Sequence, residues 1–177
     1  MLAASHPFRT RYPVARRRIP GHLIALAVWL LLFALVYAFM DVRLKPTVAT
    51  ASPAASARGE IEIPRSRDGH YYVDGRINGV PVVFMVDTGA TLVSVGADFA
   101  RAARLPRGAA GEFVTAGGTI AGEIVRGQTV EAGGIRVGPL AIAVGPGTDV
   151  ALLGQNFLRR VEVIQSHDRM LLRLKAP

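Results

Sequence analysis

Hydrophobic and polar positions divide the chain into two regions of different texture. Residues 23–40, LIALAVWLLLFALVYAFM, pass eighteen positions without a charge. The run has no polar face, so it predicts a helix that is apolar all round. At about 1.5 Å per residue, with a little help from its flanks, it is long enough to cross a bilayer core. From residue 60 onward the texture changes to short apolar runs punctuated by Gly, Pro, Asn and Asp. Residues 60–64 alternate and read as a short strand stopped by Pro64. Residues 70–77 read as a second strand, and Asn78-Gly79 as a hairpin turn, because both turn positions want positive φ. Residues 82–86 are continuously apolar and read as a buried strand ending at Asp87. A short helix is expected at 98–104 (DFARAAR). Strands at 112–115 and 123–126 flank a glycine-rich tip, and further short strands are expected at 128–137 and 140–144. Residues 150–153 read as a strand that ends at Gly154 and turns into a short helix or turn. Residues 161–164 and 170–174 close the chain as a hairpin around Ser166-His167-Asp168. Short strands with dense turn signals predict an all-β fold, a small barrel or sandwich, and not α/β.

Charge changes the picture only in where it lies. The 177 residues carry a formal net charge of +8, which by itself suggests an acidic partner. Residues 60–177, however, hold 13 Lys/Arg against 12 Asp/Glu. The excess sits in the first 59 residues, so no broad basic surface is expected on the folded domain and nucleic-acid binding is not expected. The chain has no cysteine, which excludes disulfides, thiolate metal sites and a cysteine nucleophile.

The basic excess gives the apolar run an orientation. Arg9, Arg11, Arg16, Arg17 and Arg18 precede it, while only Arg43 and Lys45 follow closely. The positive-inside rule then places residues 1–22 in the cytoplasm and everything after Asp41 on the other side. The residues after the run, Phe39-Met40-Asp41-Val42, form a poor signal-peptide cleavage site, which favours an uncleaved anchor at 23–41 over a removed leader. Residues 42–59 are rich in Ala, Ser, Thr and Pro and read as a flexible linker. The expected organisation is a cytoplasmic tail (1–22), a transmembrane helix (23–41), a linker (42–59) and a folded domain (60–177).

The candidate chemistry is at the end of the 82–86 strand. Asp87 would sit at the rim of a core, followed by Thr88, Gly89 and Ala90. Gly89 lets the backbone turn where a side chain would clash. An Asp-Thr-Gly after a strand is, by itself, usually just a turn. His70 and His167 are isolated and read as surface residues.

Two segments together carry a resemblance. Phe84-Met85-Val86-Asp87-Thr88-Gly89-Ala90 resembles the active-site loop of retropepsin-like aspartic proteases, and Leu152-Leu153-Gly154-Gln155-Asn156-Phe157-Leu158 resembles their second signature. Thr115-Ala116-Gly117-Gly118 falls where that family has its flap, and residues 73–81 look like the bacterial branch. The resemblance implies a small closed β barrel with one or two short helices over about 60–174. It also implies a homodimer, because the family's chemistry needs two aspartates and this chain offers one Asp-Thr-Gly. Asp87 would be catalytic. Thr88 would hydrogen-bond across the dimer axis, and Leu152, Leu153 and Gly154 would pack beneath the loop. No metal and no cofactor are implied. Ala90 lacks the hydroxyl that pepsin-like enzymes place there, which implies an optimum nearer roughly pH 5–7 than strong acid. The substrate would be a peptide or protein, drawn from the envelope or membrane proteins outside a bacterial inner membrane. A non-catalytic periplasmic binding or regulatory module on the same fold is the alternative.

Overall fold

The computed structural model describes residues 20–115, 117–146 and 150–175. The predicted cytoplasmic tail therefore lies almost entirely outside the described residues. The chain divides into two units, residues 1–43 and 44–177.

In the first unit, helix α1 (Gly21–Leu44) contains the apolar run. None of its residues is buried, and its mean hydropathy reaches 2.7. With 24 residues it is about 36 Å long. By length and composition it can cross a membrane.

The second unit starts earlier than residue 60. Strand β1 (Val48–Ala49) pairs in parallel with the start of β3 (Tyr72–Ile77). The Thr47 amide donates to Ser66 Oγ at 3.1 Å, and Ala49 is buried in the core. Helix α2 (Pro53–Arg58) follows. Part of the stretch expected as linker thus belongs to the domain.

The main sheet contains β4 (Val80–Val86), β5 (Val93–Gly96), β6 (Ala109–Thr115), β7 (Gly118–Ala132), β8 (Ile135–Gly145) and β9 (Ala151–Leu153) besides β1 and β3. Its order is β1-β3-β4-β9-β5-β8-β7-β6, and an extra β3–β7 pairing joins the strands from β3 to β7 into a ring. Phe84, Ile77, Ile135, Ile142, Leu153 and Val95 fill the interior with no exposure. A second sheet, β10-β11-β2, is built from β2 (Glu60–Pro64), β10 (Val161–Gln165) and β11 (Arg169–Leu174). Helices α3 (Ala97–Ala102) and α4 (Gln155–Leu158) bring the short helices among the described residues to three, with α2 arising in the former linker stretch.

Local chemistry explains the joins. Asn78 and Gly79 turn the β3–β4 hairpin with φ of 49° and 87°, the conformation both residues tolerate best. Asn78 also ties that turn to the ring: its Oδ1 accepts from the Thr129 amide at 3.0 Å and its Nδ2 donates to Gln128 Oε1 at 2.6 Å. The expected break between 126 and 128 is a β-bulge inside one fifteen-residue strand, β7. Likewise Gly138-Pro139 does not end a strand. It lies within β8, between the Val130–Val137 and Gln128–Leu140 pairs, where the register shifts. Proline, lacking an N–H, is tolerated at such a bulge.

The ring closes at Gly75, which pairs with Ala132. A Cβ there would stand 2.2 Å from the Glu131 carbonyl and 2.7 Å from the Phe84 ring. Gly75→Ala is therefore expected to push β3 from β7 and lower stability by about 1–3 kcal/mol, read as a fall in the urea midpoint.

At the start of β3, the Tyr72 hydroxyl donates to Asp68 Oδ2 at 2.7 Å. This bond, helped by burial, pushes the tyrosine up to about 12, and the same bond, against the opposing effect of burial, holds the Asp68 carboxyl below its usual range. Stability from the raised tyrosine is present below its ordinary value near 10 and disappears as pH rises towards 12. Stability from the lowered carboxyl is present above its ordinary value and disappears as pH falls. Urea unfolding of Tyr72→Phe against wild type should show a constant deficit at neutral pH that shrinks on both sides.

Candidate active site

The acid is delivered by β4. That strand runs parallel to β9, with Phe84 opposite Ala151 and Val86 opposite Leu153. The Asp87 amide then donates to the Leu153 carbonyl at 3.2 Å, so the acid leaves the sheet only after its backbone is fixed. Asp87 is half-buried, and Thr88 and Gly89 are exposed.

The turn folds back on the carboxylate. The Gly89 amide donates to Asp87 Oδ1 at 2.8 Å, and the Ala90 amide to the Asp87 carbonyl at 3.3 Å. A Cβ on Gly89 would sit 3.2 Å from Asp87 Oδ1. The glycine keeps room beside the carboxylate, the kind of close approach a side chain obstructs.

Further bonds to the loop come from the segment after β9. The Gln155 amide donates to the Ala90 carbonyl at 2.8 Å and the Asn156 amide to the Thr91 carbonyl at 3.1 Å. These are amides of the first turn of α4, which have no partner inside a helix. Gln155 Nε2 adds a bond to the Thr88 carbonyl at 2.8 Å. Asn156 bridges two strands: its Oδ1 accepts from the Val93 amide at 2.8 Å and its Nδ2 donates to the Ala141 carbonyl at 2.7 Å.

Gly154 has an extended backbone, φ −88° and ψ −179°. Its missing Cβ matters because that atom would lie 2.2 Å from the Leu92 carbonyl oxygen and 2.9 Å from that of Ala90. Leu153 is fully buried and Leu152 half-buried. The structure thus brings Asp87, Thr88, Gly89 and Ala90 together with Leu152, Leu153 and Gly154. Gln155 and Asn156 were given no role by sequence reasoning. The signal available was two amide side chains wedged between a glycine and the apolar pair Phe157-Leu158.

Thr115, Gly117 and Gly118 form the tip of the β6–β7 hairpin, while Ala116 lies outside the described residues. Thr115 Oγ1 donates to the Gly118 carbonyl at 2.8 Å and accepts from the Gly117 amide at 3.2 Å. Next to the tip Val114 is 90% exposed. Among the described residues no hydrogen bond connects this tip to the Asp87 loop. At the hairpin's base, Glu123 accepts from the Gly108 amide and from Arg107, both at 2.9 Å, and these bonds, the amide first, hold its carboxyl below the usual range.

Two hollows lie elsewhere. One of about 550 Å³ is lined by Asp74, Arg76, Val83 and Glu131 among others, and one of about 220 Å³ lies beside α3. Neither includes Asp87. Among the described residues no three His, Asp or Glu side chains converge to hold a metal ion. His70 is exposed and stands 3.5 Å from Asp68. His167 is exposed as well.

The Asn156 bridge makes a direct prediction. Asn156→Ala leaves the Val93 amide and the Ala141 carbonyl unpaired in a half-buried place, at about 1–3 kcal/mol. Urea unfolding should report that loss, and Asn156→Asp, which keeps only the acceptor, should fall between it and wild type.

The pattern of the family described as "gag-polyprotein putative aspartyl protease" matches residues 73–160, from β3 to just past α4. An uncharacterised protein of Rickettsia prowazekii is 32% identical over 90 residues, which span 46% of this chain and 39% of that protein. The crystal structure of a retropepsin-like aspartic protease from Rickettsia conorii superimposes with a TM-score of 0.54 at 28% identity, covering 66% of this chain and 90% of that one. The fold, the aspartate loop and the segment that clamps it converge on one conclusion: the chain belongs to the retropepsin-like aspartic protease family.

Proposed function

We propose that the protein is a membrane-anchored aspartic endopeptidase, active as a homodimer in which each copy contributes one Asp87. The observation that carries this reading is the fixed aspartate loop. Asp87 stands half-buried at a strand end, with one carboxylate oxygen held by the Gly89 amide and the loop carbonyls held by Gln155 and Asn156. Such fixing suits catalysis, which depends on groups pre-set in geometry.

The chemistry follows from pairing two such loops. Two carboxyls about 3 Å apart cannot both ionise, so the pair holds one proton. The ionised member takes a proton from a water between them, and that water attacks the scissile carbonyl. The protonated member donates a hydrogen bond to the developing oxyanion, and the member that took the water's proton passes it to the leaving amine. Thr88 would bond across the axis and steady the two loops. The hairpin tip at Thr115–Gly118 would cover the bound peptide and exclude water.

Helix α1 supports the location. With the arginine-rich residues before it, the positive-inside rule puts the N-terminus in the cytoplasm and the protease domain outside the inner membrane. The substrates would then be peptides or proteins of the envelope or membrane. Confinement to one surface also raises the effective concentration of copies and favours a weak dimer.

The test is cleavage of a diverse peptide mixture by the full chain in liposomes, as wild type and Asp87→Asn, from pH 4 to 8. Wild-type cleavage should form a bell in pH, because one shared proton must be present and a second absent. Asp87→Asn should lose about 10²–10⁴-fold or more. Rate should rise more steeply than linearly with chain density in the bilayer. Equal cleavage by both forms would remove the reading.

A further inference from the structure

We propose that this protein cuts membrane-anchored proteins in the stretch of chain just outside the bilayer, because its own tether keeps the active site at a limited height. The inference rests on the reading of the protein as an anchored protease centred on Asp87, and it names the substrate class of that site.

The tether is short. Residues 42–59 as a free linker would let the domain stand off by about 60 Å, at about 3.3–3.6 Å per residue. The fold takes most of that length away. Helix α1 ends at Leu44 and β1 starts at Val48. The Thr47 amide is already bonded to Ser66 Oγ at 3.1 Å, and Ser66 is buried. Lys45 and Pro46 are all that lies between. Proline has one fixed backbone torsion and drives the residue before it towards an extended form. Ala49, buried in the core, pins β1 to the domain.

The tether also enters beside the acid. β1 runs parallel to β3, with Val48 opposite Tyr72. Tyr72 lies opposite Met85 on β4, and Asp87 is two residues further on. From Leu44 to Val48 the chain spans at most about 14 Å. Two strand spacings, with two residues along β4, add about 12 Å. Residues 41–44, the part of α1 beyond the apolar run, contribute about 6 Å. Whichever way the domain turns about its tether, Asp87 stays within about 32 Å of the end of that run. In a dimer each copy carries its own tether, so the bound applies to both aspartates.

Such a bound selects by height. A soluble peptide diffuses to the site and is cut irrespective of the tether. An anchored protein is cut only if its scissile bond comes into the same layer, since the effective concentration of a site that cannot be spanned is near zero. A loop on a folded domain held higher up is out of reach. The bonds that meet the site are those of the unfolded segment between a membrane helix and the domain it carries. Hydrolysis there consumes one water and gives a carboxylate and an amine, one on the membrane stub and one on the released domain.

The experiment uses the full chain in liposomes, with substrates anchored in the same bilayer. One sequence that the enzyme cuts as a soluble peptide is placed on a helical spacer continuous with the substrate's membrane helix. At about 1.5 Å per residue, spacers of about 10 and 40 residues set it near 15 and 60 Å. Wild type should cut the low site about tenfold or more faster than the high one. A variant with about 80 Gly/Ser residues inserted between Lys45 and Pro46 adds a mean reach of about 50 Å, and should cut both sites within about threefold of each other. Its rate on the soluble peptide should equal that of wild type, which shows that the insertion leaves fold and site intact. A wild type that cuts both heights alike, or an insertion that leaves the preference in place, overturns the height limit. If those cuts are still lost in Asp87→Asn, the aspartic protease stands. Absence of Asp87-dependent cleavage of any soluble peptide removes the proposed function and this inference with it.

Discussion

The aspartate loop is held by backbone hydrogen bonds from a segment more than sixty residues away. Thr88, Ala90 and Thr91 present carbonyls that no regular element satisfies. Gln155 and Asn156 present amides at the start of a helix that no helical carbonyl satisfies. Each set supplies what the other lacks. Each such bond contributes about 0.5–1.5 kcal/mol, so the two segments are more stable together than apart. This mutual need explains why β9 runs beside β4, why α4 begins where it does, and why the carboxylate projects in one direction.

Close approach is the second constraint, and three of the glycines that meet it do so for different reasons. Gly154 lets a helix start against the Leu92 carbonyl, Gly75 lets β3 close on β7, and Gly89 leaves space at a carboxylate oxygen. None of the three has a positive φ among those the backbone shows. Their value is a missing atom and not a rare torsion. By contrast Asn78 and Gly79 are there for the torsions themselves.

Signals that are local in sequence were legible. The hairpin at Asn78-Gly79, the strand running into Asp87 and the strand ending at Gly154 all appear as expected. The all-β fold followed from the same punctuation. Signals that depend on a partner across the sheet were not legible. Gly127 and Pro139 read as strand ends, yet both sit at irregularities within long paired strands, because the neighbouring strand continues past them. Val48-Ala49 looks like linker since two residues carry no periodicity, and only the β3 edge reveals them as a strand. Gln155 and Asn156 look like surface amides until the carbonyls they serve are in place.

The distance in sequence between the acid and its clamp has a consequence for the order of events during synthesis. Thr88 waits for Gln155, 67 positions later, and Val93 for Asn156, 63 positions later. A chain emerging from the ribosome N-terminus first displays Asp87 long before anything can fix it. The loop cannot settle until β9 and α4 have emerged. A nascent or truncated protein therefore carries the aspartate without the scaffold that orients it, a delay written into the topology itself.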